Sequence, residues 1–290
     1  MKRNNSIKFI GVLFVLTALF MSNENANAQS EWLDYGSGNS ISIEIDKPFI
    51  AQDSLGGSLN PGFSGLSAAI YLTGRYNIYK NLTLVAELPF VNGKLDYGAD
   101  SLNDLNESGL KIGNPYIGAE YHLPRSPLMF ELGLRIPVVS KDPVAGTVVG
   151  VRADIDRSEA FIRKIVPVYA AINFRTVTEN NILIKARVGG NLWFNTKVLG
   201  FYNQPEFSAD YTLQTGYMDK YVNVIVGLTG RYAVDSGPEY PDKYNFVQYG
   251  LLITVPYKNI RPGFNIRVPG EDADNLFNYV FGLNFTYGFE

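Results

Sequence analysis

The stretch Asn278-Tyr279-Val280-Phe281-Gly282-Leu283-Asn284-Phe285-Thr286-Tyr287-Gly288-Phe289 decides the fold. Taken as a strand, it places Tyr279, Phe281, Leu283, Phe285, Tyr287 and Phe289 on one face and Val280, Gly282, Asn284, Thr286 and Gly288 on the other. Side chains of a strand alternate with period two, so an aromatic face of this kind persists only against lipid or beneath a second sheet.

The other end of the chain supplies a destination. Lys2, Arg3 and Lys8 precede the apolar run Phe9 to Met21, and Ala26-Asn27-Ala28 follows as a small-x-small cleavage site. This is the layout of a secretory signal peptide. The run is too short for a membrane helix, which needs about twenty residues. Residues 1–28 are therefore expected to be cleaved, leaving residues 29–290 as one domain. No other stretch approaches the length of a membrane helix, and mean hydropathy is close to zero. The remaining classes are a secreted soluble β-protein and a transmembrane β-barrel, whose apolar residues occupy alternate positions and leave composition average. The 19 tyrosines, 18 phenylalanines and 28 glycines favour the barrel.

The absence of cysteine excludes disulfides, thiolate metal sites, cysteine nucleophiles and a lipid-modified N-terminal cysteine. An exported chain of this kind is held together by a large core or by a closed hydrogen-bonded sheet. A net charge of −3 gives no argument for nucleic acid.

Period-two alternation predicts twelve strands, at 40–50, 65–78, 81–92, 112–123, 127–140, 163–178, 181–195, 208–218, 221–234, 245–257, 260–268 and 277–289. Short connections near Lys80, Pro124–Ser126, Glu179–Asn180, Asp219–Lys220 and Lys258–Asn259 alternate with long ones at 51–64, 93–111, 141–162, 196–207, 235–244 and 269–276. Strict short-long alternation belongs to an all-β, antiparallel, up-and-down transmembrane barrel with short turns in the periplasm and long loops outside. A soluble sandwich has no reason to segregate its loops in this way.

Charge gives a second test. Glu44, Asp46, Arg75, Glu87, Glu120, Glu131, Arg135, Arg175, Lys185, Arg187, Asp210, Arg231, Arg261 and Arg267 all fall on the polar side of their strands, and the sorting is read as leaving no charge on an apolar face. A charge facing lipid at mid-bilayer costs about 2–4 kcal/mol, which accounts for such a partition. Tyr76, Tyr79, Tyr121, Tyr217, Tyr221, Tyr257 and Tyr287 lie near the short turns, with Phe90, Phe194 and Tyr232 towards the long loops. Two interfacial girdles are expected from this placement.

Twelve strands about 4.8 Å apart and tilted about 40° enclose a backbone cylinder of about 24 Å, which side chains narrow to roughly half. The lumen-lining residues are expected to be Glu44, Arg75, Glu87, Glu120, Glu131, Arg135, Arg175, Lys185, Arg187, Asp210, Arg231 and Arg267. Acidic residues dominate the early strands and basic residues the later ones. That separation either sets a transverse field across a passage or supplies ion pairs that close the barrel. The segment Asp156-Arg157-Ser158-Glu159-Ala160-Phe161-Ile162-Arg163 is a candidate helical turn, folding inward as a constriction or lying outside as a lid. Asp96, Asp100, Asp104 and Glu107 lack calcium-loop spacing and are expected to form a solvated acidic loop.

Catalysis has few routes. His122 is the sole histidine, expected to point inward near the short-turn end, and without cysteine or a second histidine nucleophilic triads are hard to build. A Glu87–Glu120 carboxylate pair is the other candidate, with Arg75 and Arg135 expected to neutralise it.

The aromatic-ended C-terminal strand resembles the insertion signal of bacterial outer-membrane barrels. The segments Tyr76-Asn77-Ile78-Tyr79-Lys80-Asn81-Leu82-Thr83-Leu84-Val85-Ala86-Glu87-Leu88-Pro89-Phe90 and Ile112-Gly113-Asn114-Pro115-Tyr116-Ile117-Gly118-Ala119-Glu120-Tyr121 resemble motifs of the meta-pathway phenol-degradation group and related outer-membrane transporters. The resemblance implies a porin-like barrel in the outer membrane of a Gram-negative bacterium that aids passage of small hydrophobic or aromatic compounds, without a cofactor. The expected function is a passive channel for small solutes, and no enzyme. The alternatives are a closed structural or adhesive barrel whose loops bind partners and, third, an outer-membrane hydrolase. Expected partners are outer-membrane lipid and lipopolysaccharide, the barrel-assembly machinery through the C-terminal strand, and a small-molecule solute.

Overall fold

A computed structural model describes residues 30–36, 38–49, 62–63, 67–93, 95–96, 109–139, 144–195, 206–233, 245–270 and 277–289. The expected signal peptide and most of the acidic loop 93–111 lie outside these residues.

The strands are β1 (Asn39–Phe49), β2 (Gly62–Phe63), β3 (Ala68–Tyr79), β4 (Leu82–Asn92), β5 (Leu95–Asp96), β6 (Leu110–Ile112), β7 (Tyr116–His122), β8 (Leu128–Arg135), β9 (Ile165–Val177), β10 (Ile182–Asn195), β11 (Glu206–Met218), β12 (Asn223–Ala233), β13 (Asn245–Thr254), β14 (Ile260–Pro269) and β15 (Tyr279–Phe289). Twelve of them form the wall. Each pairs antiparallel with its neighbour in the chain, β6 extends the pairing of β4, and β2 with β5 forms a separate two-stranded ribbon. The ring closes where β1 meets β15, from Asn39 opposite Phe289 to Phe49 opposite Tyr279. The barrel is therefore closed, antiparallel and up-and-down.

Alternation places the two chemistries as the bilayer requires. Along β15 the buried positions are Val280, Gly282, Asn284 and Thr286, while Tyr279, Leu283, Phe285 and Tyr287 are exposed. The tyrosines at 76, 79, 121, 217, 221, 257 and 287 are all exposed at the short-turn end. Lys220 lies over the Tyr221 ring and Lys258 over the Tyr257 ring, with cation-to-centroid distances of 4.7 and 5.5 Å. Aromatic bodies and cationic tips at one depth suit the headgroup layer.

Two expectations are corrected. Lys47 falls on the outward face of β1, opposite Phe281, with its ammonium 5.2 Å from the Phe49 ring. It lies close to the long-loop end of β1, where a long side chain reaches the interface and the cost of a lipid-facing charge fades. The fourth and fifth strands are shorter than the alternation suggested, because Gly113-Asn114-Pro115 separates β6 from β7 and β8 stops at Arg135. Proline lacks the ladder donor. Asn114 takes over instead: its side-chain oxygen accepts from the Val138 and Val139 amides at 3.0 and 3.1 Å.

Val188, at the middle of β10, has 67% of its surface exposed on the outer wall. Val188→Arg is expected to lower stability in lipid vesicles by about 2–4 kcal/mol, measured by denaturant titration against Val188→Leu, which is expected to be near neutral.

Candidate functional site

The barrel interior is filled from both ends by segments of the same chain. From the long-loop end, helix α1 (Val144–Ala153) and a 3-10 turn (Ile155–Ala160) fold into the lumen. Asp154 starts the turn by accepting from the Asp156 amide at 3.0 Å. Phe161 ends it, its amide donating to the Ser158 carbonyl at 3.1 Å. Small residues make the approach possible. Val149, Ala153, Ala160 and Phe161 pack on Ala69, Tyr71 and Val91 of the wall, and a Cβ at Gly113 would collide with the Ala160 carbonyl.

Arg157 is the centre of this insert. Its guanidinium donates to Glu44 at 2.6 Å, Glu87 at 2.9 Å and Asp154 at 2.6 Å, and it lies 3.6 Å from the centroid of the Tyr71 ring. All four charged groups are buried. On the opposite wall Arg231 donates to Glu159 at 2.8 Å and to Asp210 at 2.8 Å, while Asn191 donates to Glu159 at 2.9 Å. Arg267 bridges Asp46 at 2.9 Å and Asp154 at 3.5 Å. Asn114 adds a seam, donating to the carbonyls of Glu159 and Ile162 at 3.0 and 2.6 Å.

From the short-turn end, Ser30–Gly36 enters ahead of β1 with Ser30 to Tyr35 all buried. Trp32 lies against Leu183, Ile225 and Leu252, an apolar patch of the inner wall. Glu31 meets Lys185 at 2.5 Å and Arg187 at 3.2 Å. Asp34 accepts from Asn223 at 2.6 Å and Arg261 at 3.2 Å, and the Arg75 guanidinium lies 4.8 Å from the Tyr35 ring centroid. The sequence offered a signal here that alternation could not use: two acids and two aromatics in a short run that continues no strand pattern.

The twelve residues expected to line the lumen all lie on the inner face, and the structure engages them with one another and with the inserts. Arg75 pairs with Glu120 at 2.5 Å, Arg135 with Glu87 at 2.8 Å, and Arg187 with Glu131 at 3.0 Å. Arg175 reaches the Met218 sulfur at 3.2 Å. The acidic side of the wall therefore faces Arg157, and the basic side faces Glu31, Asp34, Asp154 and Glu159. A transverse field across an empty passage is not what this arrangement presents, because the inserts carry the complementary charges. Glu87 and Glu120 do not form a carboxylate pair; each has its own arginine. His122 is half-buried, with Nε2 3.8 Å from Glu120. Between the upper insert and the wall, a cavity with room for about one water is lined by Arg135, Asp156, Arg157, Tyr169, Arg187 and Asp210.

Two neighbouring acids of the upper insert titrate in opposite directions. Burial disfavours the Asp154 carboxylate, but Arg157 and Arg267 outweigh it and hold its pKa below the usual value. Asp156 has no cation as close; burial and the Asp154 charge push it up to about 7, and it accepts from Gln248 at 2.8 Å.

No protein-family model and no curated protein matches the chain. Among solved structures, an outer-membrane channel from Pseudomonas putida superposes with TM-score 0.60 at 11% identity, over 91% of this chain and 100% of that one. The fold is that of an outer-membrane β-barrel. Weaker matches include LpxR from Salmonella typhimurium, with TM-score 0.45 at 12% identity over 86% of this chain and 100% of that one. A FadL homologue from Pseudomonas aeruginosa matches with TM-score 0.38 at 13% identity, over 87% and 90% of the two chains.

Raised in the seated state, the Asp156 pKa makes seating strongest below its ordinary value of 3.8 and weaker as pH rises through about 7. Limited proteolysis within 144–162 is thus expected to be faster at pH 8 than at pH 5, roughly as an opening equilibrium linked to one proton would give. Asp156→Asn, which keeps an acceptor for Gln248, is expected to reduce that difference. Arg157→Met strands buried carboxylates, a change that costs about 3–5 kcal/mol in comparable sites, and is expected to expose the insert to protease at both pH values.

Proposed function

We propose that the protein is a passive outer-membrane channel for small solutes, held closed by two segments of its own chain and conducting when they withdraw. One observation carries this reading. The lumen is blocked by inserts tied through side-chain ion pairs and hydrogen bonds, while the wall behind them remains a complete barrel with a polar inner face. A barrel meant only as scaffold has no need of a charged bore, since an apolar core of similar volume is often as stable as buried ion pairs or more so.

The fold-level likeness to the Pseudomonas putida channel agrees with this proposal. The motif resemblance to the meta-pathway phenol-degradation group favours small hydrophobic or aromatic solutes. Lipid, lipopolysaccharide and the assembly machinery that receives the aromatic C-terminal strand are the proposed partners in the outer membrane. A hydrolase is not favoured, because His122 sits by the short turns with Glu120 and Arg75 rather than at the outer rim.

Single-channel recording in a planar bilayer tests the proposal, with heat-modifiable gel migration confirming a folded barrel. The unaltered protein is expected to show rare, small openings. Arg157→Met and Trp32→Ala together are expected to raise conductance or open probability at least about tenfold, since each tenfold requires only about 1.4 kcal/mol of gating free energy. A folded double variant that stays silent refutes the channel and favours a closed barrel acting through its long loops.

A further inference from the structure

Ser30–Tyr35 occupies its place in the lumen as a ligand occupies a pocket. Across β10 to β13, registered pairs bring Leu183, Gly216, Ile225 and Leu252 into one inward-facing row. The adjacent row runs through Lys185, Gln214, Gly227 and Gly250. The first row is an apolar shelf, and the second has a cation at one end and glycines at the other.

Trp32 fills the space over that shelf. A Cβ at Gly250 would stand 2.5 Å from the indole Cη2, so only glycine leaves room there. The indole Nε1 is buried without a hydrogen-bond partner. The socket therefore matches the ring as an apolar plate and gives the indole nitrogen nothing, so a phenyl ring satisfies it equally well. Beside it, Lys185 and Arg187 hold the Glu31 carboxylate at 2.5 and 3.2 Å. Gly250 stands three strands from Lys185, roughly 14 Å along the wall, whereas Leu183 and Lys185 are two residues apart on one strand, which puts the Leu183 end of the shelf about 7 Å from the cation.

An apolar plate with a carboxylate clamp at that spacing is a site for an aromatic acid. We propose that, when the N-terminal segment withdraws, this part of the lumen binds aromatic carboxylates, with the ring on the shelf at its Leu183 end and the carboxylate on Lys185 and Arg187. The proposal rests on the channel reading and names its solute class. Trp32 and Glu31 then act as a tethered competitor, present at an effective concentration on the order of millimolar. Free acid enters only when the segment's hold is weakened.

The test is calorimetric titration of the detergent-refolded mature protein with 3-phenylpropanoate. Trp32→Ala is expected to bind it at least about tenfold more tightly than the unaltered protein, because the competitor has lost its ring. In the Trp32→Ala chain, 3-phenylpropanol in place of the acid, or Lys185→Met, is expected to weaken binding roughly tenfold, the worth of one charge-assisted hydrogen bond. Leu183→Asn in the same chain, which puts an amide under the ring, is expected to abolish it. Equal affinity of Trp32→Ala and unaltered protein, or of acid and alcohol, overturns the proposal. Should Trp32→Ala not fold, Trp32→Val empties the same ring site and gives the same comparison. Binding without conductance sinks the channel and leaves the site, whereas conductance without binding does the reverse.

Discussion

In hydrocarbon an unpaired backbone amide or carbonyl costs several times what it does in water, so a sheet can cross a membrane only by losing its edges. The pairing of β1 with β15 removes the last two. With twelve strands joined, the bore is too wide for the wall's own side chains to fill and too narrow for bulk water to solvate every charge that alternation turns inward. What fills the remainder is then an electrostatic problem. Acids on the early strands and bases on the later ones cannot all meet across the gap. The two inserts bring the missing signs: Arg157 to the acidic side, and Glu31, Asp34, Asp154 and Glu159 to the basic side.

This division of labour separates what holds the barrel from what shuts it. Backbone ladders close the ring, and they owe nothing to Arg157 or Trp32. Charged and aromatic side chains seat the inserts, and such contacts respond to protonation, to salt and to competing ligands in a way that backbone ladders do not. A barrel built so can lose its inserts without losing its wall.

Much of the wall was legible in the sequence because lipid enforces a rule that water does not. Period-two sorting of Leu128, Phe130, Leu132 and Leu134 against Glu131 and Arg135 is visible without coordinates, and it sets both the strand and its facing. The rule fails where lipid has no say. Gly113-Asn114-Pro115 was conspicuous as a motif but not as a strand break, since the Asn114 side chain replaces ladder hydrogen bonds through partners more than twenty residues away. Lys47 sits near the rim, where the penalty that sorts charges fades. Helical character around Asp156 to Phe161 was visible in outline, yet its seat depends on Glu44 and Glu87 from other strands. Ser30–Tyr35 was invisible to alternation, because a lumen segment is neither strand nor solvated loop.

The reach of Arg157 also bears on how the molecule is assembled. Its partner Glu44 lies 113 residues earlier in the chain, and Arg267, which holds the adjoining Asp154, comes 114 residues after the Ala153 carbonyl it also binds. Contacts of such separation form late, after local hairpins have been made. Glu44 and Arg267 reach their places only when β15, lying between β1 and β14, has completed the circle. The upper insert therefore cannot seat in a half-built barrel, and a 144–162 segment shielded from protease reports that the ring has closed.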